Sequence, residues 1–180
     1  MGAASNGLAV DHEGNPAFKG YGFPQHLYYR QQGKWLEIGG CTHGLAFGQN
    51  GTLYRTDCNR YVHKYTGDGK WEKLSSLRKA GVIGGGKGGL WINDKRLYKW
   101  EEGKFRSQGG EKASSIAVGD DSHVLVIVNH KIRIISTGKL MSHYSVISIT
   151  IGKLGRTYIV SNNHRVYKQT GSEKDKYSIR

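Results

Sequence analysis

Five segments of this chain echo one another at a spacing of about 35 residues, and that periodicity limits the fold more than any other feature. The most regular stretch reads Leu27-Tyr28-Tyr29-Arg30, Val62-His63-Lys64-Tyr65, Leu97-Tyr98-Lys99-Trp100, Ile132-Arg133-Ile134-Ile135 and Val166-Tyr167-Lys168-Gln169. Its first residues fall at 27, 62, 97, 132 and 166, so the intervals are 35, 35, 35 and 34. Ahead of it in each repeat stands a short apolar run: Leu8-Ala9-Val10, Leu45-Ala46-Phe47-Gly48, Val82-Ile83-Gly84, Ile116-Ala117-Val118-Gly119 and Ile149-Thr150-Ile151-Gly152. A polar or Gly-rich turn and a second run follow, the latter being Ala17-Phe18-Lys19, Leu53-Tyr54-Arg55, Leu90-Trp91-Ile92, Val124-Leu125-Val126 and Thr157-Tyr158-Ile159. The fourth run centres on Gly33-Lys34-Trp35, Gly69-Lys70-Trp71, Gly103-Lys104-Phe105, Gly138-Lys139-Leu140 and a degenerate Lys174-Asp175-Lys176-Tyr177.

Every run is short, rich in β-branched and aromatic residues, and bounded by turn formers, which is the pattern of strands in a meander. No sustained stripe of helical period occurs, so the expected fold is all-β with essentially no helix. Four strands in each of five repeats predict twenty. A four-stranded meander has two apolar faces and cannot cover both alone, so the sheets are expected to pack radially as a five-bladed β-propeller of four-stranded antiparallel blades. The blades fall at about 7–40, 41–76, 77–110, 111–144 and 145–180, within a single domain. Small residues at Ala9, Ala46, Gly81 and Ala117 leave room where innermost strands crowd the axis. A β-sandwich is the other all-β solution, but it does not require an even repeat. Only Met1 to Gly7 precede the first run, so closure of the ring rests on packing between blades one and five, on a further blade, or on a second chain.

The repeat resembles the tectonin repeat. The residues that carry the likeness are Trp35-Leu36-Glu37-Ile38-Gly39-Gly40, Leu45 through Tyr54 and Arg96-Leu97-Tyr98-Lys99-Trp100. Blades two and three match best, while blade four has Arg133 and Leu140 where the pattern has Tyr and Trp. This resemblance implies propellers that include carbohydrate-binding lectins, some directed at bacterial surface glycans or O-methylated sugars, beside intracellular proteins that use the ring for membrane or protein contacts. It also implies a family that is not generally catalytic.

Charge narrows the partners. The chain has 180 residues with 27 Lys+Arg against 14 Asp+Glu, a net charge of +13 at pH 7. Polyanions are therefore plausible ligands: acidic glycans, acidic proteins, anionic lipid or nucleic acid. The basic residues are spread from Lys19 to Arg180 with no tail or block. No stretch approaches the roughly 20 apolar residues that cross a bilayer, and the start lacks the features of a signal peptide. These readings predict a soluble chain, with the cytoplasm favoured over secretion. The opening Met1-Gly2-Ala3-Ala4-Ser5-Asn6 falls short of a myristoylation signal, which wants Ser or Thr where Asn6 stands.

Several motifs fail on inspection. Gly81-Val82-Ile83-Gly84-Gly85-Gly86-Lys87-Gly88 has the glycines and lysine of a phosphate loop. The magnesium-binding Ser or Thr is replaced by Gly88, and a strand follows instead of a helix. The eight His residues show no zinc spacing, and no G-x-S-x-G turn supplies a nucleophile. No catalytic residues, metal or cofactor are expected, and the chain is read as a non-enzyme. Cys41 and Cys58 bracket the first hairpin of blade two, and folding about Asn50-Gly51 brings them near each other. A disulfide and a pair of reduced, partly buried thiols both remain open. The spacing is similar to that of a disulfide in fish-egg lectins. Asn50-Gly51-Thr52 is a glycosylation acceptor should the chain be exported.

The third strand of each repeat is the expected binding element. Just before its apolar residue stand His26, Tyr61, Arg96, Lys131 and Arg165, and within it lie Tyr28, Lys64, Tyr98, Lys99, Tyr167 and Lys168. Aromatic faces suit the C–H faces of sugars, and cationic heads pair with carboxylate or phosphate. Repeated weak sites confer avidity for a polymer. The expected function is thus a lectin-like module binding glycans, anionic or O-methylated, between its blades. The alternative is a scaffold propeller that docks on acidic protein, anionic lipid or nucleic acid.

Overall fold

The structure, a computed structural model, describes residues 7–11, 13–20, 26–74, 79–120, 123–140, 145–151, 156–169 and 177–179. Blade one holds β1 (Leu8–Val10), β2 (Pro16–Lys19), β3 (Leu27–Gln31) and β4 (Lys34–Glu37). Blade two holds β5 (Gly44–Phe47), β6 (Leu53–Thr56), β7 (Val62–Gly67) and β8 (Lys70–Lys73). In blade three are β9 (Val82–Gly86), β10 (Gly89–Asn93), β11 (Leu97–Glu101) and β12 (Lys104–Gly109). Blade four has β13 (Ser115–Val118), β14 (Val124–Val128) and β15 (Lys131–Ile134). Blade five has β16 (Val146–Ile151), β17 (Thr157–Ser161), β18 (Val166–Gln169) and β19 (Tyr177–Ile179). Each sheet is an antiparallel meander in chain order, so the fold is an all-β five-bladed propeller. The sole helical element among the described residues is a 3₁₀ turn at Gln49–Gly51.

Nineteen strands are found among the described residues, against the twenty expected. The shortfall lies in blade four, where the fourth run is represented among the described residues by the bridge Arg133–Leu140, and residues 141–144 lie outside the described residues. In blades two and three the fourth strand is anchored by an aromatic ring. Trp71 lies 5.1 Å from Tyr65, and Phe105 lies 4.7 Å from Trp100. Blade four offers Ile135 and Leu140 at these places, so the aromatic pair is absent there. In blade five β19 begins at Tyr177; Lys174, Asp175 and Lys176 lie outside the described residues.

Turn chemistry explains the tight third-to-fourth connections. Gln32-Gly33, Asp68-Gly69 and Glu102-Gly103 carry positive φ at both residues, between 49° and 78°. That is the type I′ geometry whose twist matches a hairpin.

Alternation within the innermost strands decides how blades meet. Leu45 and Phe47 of β5 point back onto Leu27 and Tyr29 of blade one, whereas Ala46 points forward to Ile83 and Leu90 of blade three. Ile116 and Val118 of β13 likewise point back onto Trp91 and Leu97, and Ala117 forward onto Ile149. Large residues face one neighbour and small residues the other. In blade three the small residue is Gly84 and not Gly81, which precedes β9. A Cβ on Gly84 would come within 2.7 Å of Ile116 Cγ2. The inner strands run side by side in one sense, because Gly44 approaches Ile83, Gly84 approaches Ile116 and Gly119 approaches Ile151.

Four buried clusters fill the seams from blade one to blade five, and among the described residues none joins blade five to blade one. β1 packs on β5, β5 on β9, β9 on β13 and β13 on β16, with no comparable contact between β16 and β1. Among the described residues the five blades form an open arc.

The link into blade two is pinned by a disulfide between Cys41 and Cys58, whose Cα atoms are 5.5 Å apart. Arg55 runs beneath it, 8% exposed. Its Nη1 donates to Gly39 O at 2.6 Å, and its guanidinium lies 4.2 Å from the centre of Trp71. Burial pushes the Arg55 pKa down.

Two outcomes test this packing. Gly84→Val should lower the unfolding free energy by about 1–3 kcal/mol by overfilling the seam between blades three and four, as read by urea denaturation with circular dichroism. Replacing both Cys41 and Cys58 by Ser should cost about 3 kcal/mol in the same assay, from the loop the bond closes.

Candidate functional site

A meander places its first-to-second and third-to-fourth turns at one end of the propeller. The second-to-third turns and the links between blades lie at the other end. Cations outnumber acids at the end that holds the second-to-third turns and the links. Exposed Arg60, Lys79, Arg96, Lys112, Lys131 and Arg165 sit at the link end. Acids there include Asp57, Glu111 and Asp94, the last in the same turn as Arg96. Asp57 accepts from Tyr61 N at 2.8 Å and pairs with His63 Nε2 at 3.0 Å, and Glu111 lies 3.6 Å from Arg133. The opposite end is mixed, with Asp11, Glu13, Asp68, Glu102 and Asp120 in its turns beside the exposed Lys34, Lys70, Lys87, Lys104, Lys139 and Arg156.

The densest part of the cationic end surrounds Tyr61. Residues 79–80 pair with 60–61 through the Tyr61–Lys79 bridge and a 2.8 Å hydrogen bond from Ala80 N to Arg60 O. Lys73 Nζ lies 3.4 Å from the centre of the Tyr61 ring, and Lys79 Nζ lies 5.5 Å from it. Arg60 adopts a left-handed φ of 66° that ends the turn held by Asp57. Desolvation of the His43 ring, and then the charges of Arg60 and Lys19, hold its pKa below the ordinary 6.5.

The sequence-predicted residues divide into three groups. His26, Arg96, Lys131 and Arg165 are exposed at the cationic end beside Tyr61. Lys64, Lys99 and Lys168 are half-buried along the blades. Lys64 is cross-strand from Glu72, Lys99 is paired with Glu101 at 3.2 Å, and Lys168 is cross-strand from Tyr158. Tyr98 and Tyr167 are buried in the seam clusters. Tyr28, their equivalent in blade one, is only half-buried, with Phe18 5.3 Å away on one side and His26 6.3 Å away on the other. The His26 ring is itself bonded to the Glu37 carboxylate. Arg60, Lys73, Lys79 and Lys112 escape a repeat-based search because they stand outside the repeated third-strand positions.

At the opposite end a groove of about 330 Å³ lies between blades one and two, lined by Asp11, Glu13, Asn15, Tyr29, Gln31, Gln32, Asn50 and Gly51. Burial raises the Asp11 pKa. Hydrogen bonds from the backbone and side chain of Asn15, from Glu13 N and from Tyr29 outweigh it, and the net shift is downward. The Tyr29 hydroxyl, 3.3 Å from Asp11, is pushed up by burial and by that carboxylate. Among the described residues no group of three or more His, Cys, Asp or Glu could hold a metal ion. None of the described helices is long and apolar enough to cross a membrane.

No protein-family model matches the sequence, and no curated protein matches it. Solved structures do. A streptogramin B lyase aligns with a TM-score of 0.69 and 18% identity, over 100% of this chain and 70% of that one. YCF48 bound to a D1 peptide aligns at 0.61 and 10% identity, over 99% and 71%. The WD40 propeller domain of Doa1 aligns at 0.59 and 12%, over 99% and 84%. At these identities the likeness establishes a β-propeller and nothing finer. It does not single out the tectonin repeat, and it carries over neither a lyase reaction nor a peptide site.

The cationic end makes a titration prediction. By NMR, His43 should titrate below 6.5, and its midpoint should rise when a polyanion neutralises Arg60. The unfolded chain binds this proton more readily than the folded one. The His43 contribution to stability is therefore present above 6.5 and is lost as pH falls toward the folded midpoint.

Proposed function

We propose that this chain is a binding module that engages an anionic glycan through the cationic end of its propeller. The supporting observation is the recurrence of a cation or imidazole at each second-to-third turn, so that this end of the propeller carries more cations than acids. Spaced cations suit a polymer with repeated sulfates or carboxylates, because several weak contacts act together. Non-specific single-strand nucleic acid binding combines a basic groove with aromatic faces on which bases stack. Here Tyr61 is covered by Lys73, and Tyr98 and Tyr167 are buried. Those conditions favour charge-based recognition over base stacking. A second reading is a neutral sugar in the groove beside Asp11, whose amide, hydroxyl and carboxylate groups offer hydrogen bonds.

Heparin chromatography tests the first reading. Reversing Arg96, Lys131 and Arg165 to Glu should weaken retention at 0.15 M salt by about tenfold to a hundredfold, at roughly 0.5–1 kcal/mol per exposed contact, and should leave the circular dichroism unchanged. Retention that survives both the triple reversal and 0.5 M salt would exclude the cationic end. Retention of RNA or anionic vesicles in preference to heparin would reassign the ligand.

A further inference from the structure

A positive charge lies buried where the chain passes from blade one to blade two. Arg55 is 8% exposed, and no carboxylate among the described residues forms an ion pair with it. Burial lowers its pKa, and Asp57 opposes this only through space. That carboxylate already accepts from Tyr61 N and is bonded to His63 Nε2. The guanidinium donates from Nη1 to Gly39 O and lies over Trp71, but its Nε is buried with no hydrogen-bond partner. A cation matched so incompletely is costly to bury. Its cover must therefore be held in place.

That cover is the segment Gly39-Gly40-Cys41. Gly40 is exposed, and a Cβ on it would fall 2.1 Å from Arg55 Nη1, so a single layer of backbone separates the guanidinium from solvent. Both glycines have positive φ, 60° and 88°, and glycine moves out of that region at little cost. Cys41 ties the cover to Cys58, an exposed residue in the turn closed by Arg60 N donating to Asp57 O. The chain on either side is fixed without the disulfide. Ile38 N donates to Leu27 O at 2.8 Å and His43 N to Thr56 O at 2.7 Å. Loss of the sulfur–sulfur bond thus frees a short segment and leaves both blades paired.

We propose that the Cys41–Cys58 disulfide is a redox-sensitive clasp that keeps Arg55 buried, and that its reduction opens the Gly39-Gly40 cover and releases the guanidinium to solvent at the cation-rich end of the propeller. A small dithiol supplies the electrons. One of its thiolates attacks Sγ of the exposed Cys58, the sulfur–sulfur bond breaks, and Cys41 leaves as a thiolate. The second thiol then displaces Cys58 from the mixed disulfide. The dithiol ends as a cyclic disulfide, and two electrons and two protons have passed to the cysteine pair. Hydration of Nε favours the open cover, since that group regains a hydrogen-bond partner. The clasp concerns Arg55 alone and does not rest on the glycan reading.

Solvent exchange of the Arg55 Nε–H, followed by NMR on the whole 180-residue chain and assigned by its loss in Arg55→Lys, tests the proposal. The proton should be protected while the disulfide is intact and should exchange about tenfold faster or more once dithiothreitol has reduced it. The Trp71 indole N–H, which donates to Ile38 O at 2.9 Å, should shift with it. The Trp91 indole N–H, which donates to Gly88 O in blade three, should not. Cys41→Ser combined with Cys58→Ser should reproduce the reduced state without reductant. Gly40→Ala should open the cover with the disulfide intact, and it serves if the double serine variant does not fold. Equal exchange of the Arg55 proton in the oxidised and reduced chains would overturn the proposal. So would Trp91 changing together with Arg55, because that would mean general loosening in place of a local release.

Discussion

Large residues seated against small ones along the innermost strands hold this protein together. A propeller brings its first strands close to the axis, and two rows of bulky side chains cannot both fit there. The chain resolves the conflict by alternation. Leu45 and Phe47 face backward while Ala46 faces forward, and Ile116 and Val118 face backward while Ala117 faces forward. Blade three takes the idea furthest. Cβ atoms on Gly85 and Gly86 would fall 2.3 Å from Phe47 O and 2.0 Å from Val118 O, so backbone itself occupies the space. Those glycines look like a phosphate loop in one dimension and act as a packing surface in three.

The same alternation sorts chemistry. Once every first strand runs in one sense, equivalent turns must share an end of the assembly, and a charge repeated in sequence becomes a charge concentrated in space. Turn residues thus give the molecule one cation-rich end and one of mixed charge without any contiguous basic block. The disulfide and the buried Arg55 brace the link between blades one and two, which passes beside the densest cationic cluster.

Much of the architecture was legible in the residue spacing. Third strands begin at 27, 62, 97 and 166 as the repeat indicates, and in blade four one residue earlier at Lys131. Other features depend on partners that periodicity does not encode. Tyr28, Tyr98 and Tyr167 are equivalent in sequence, yet two are buried by a preceding blade and one is not. The cluster about Tyr61 forms because residues 79–80 return as an edge pair to 60–61, a contact with no counterpart in the repeat. In blade four the fourth run has Leu140 in place of the aromatic and is represented among the described residues by the bridge to Arg133.

The open arc also bears on how the molecule comes apart. Each blade touches only its neighbours, so stability approximates a chain of local and nearest-neighbour contributions and not one indivisible whole. Blades two, three and four are each braced on both sides; blades one and five are braced on one. Unfolding accordingly propagates inward from the termini, and the glycine-lined middle blade is the last to lose its amide protection.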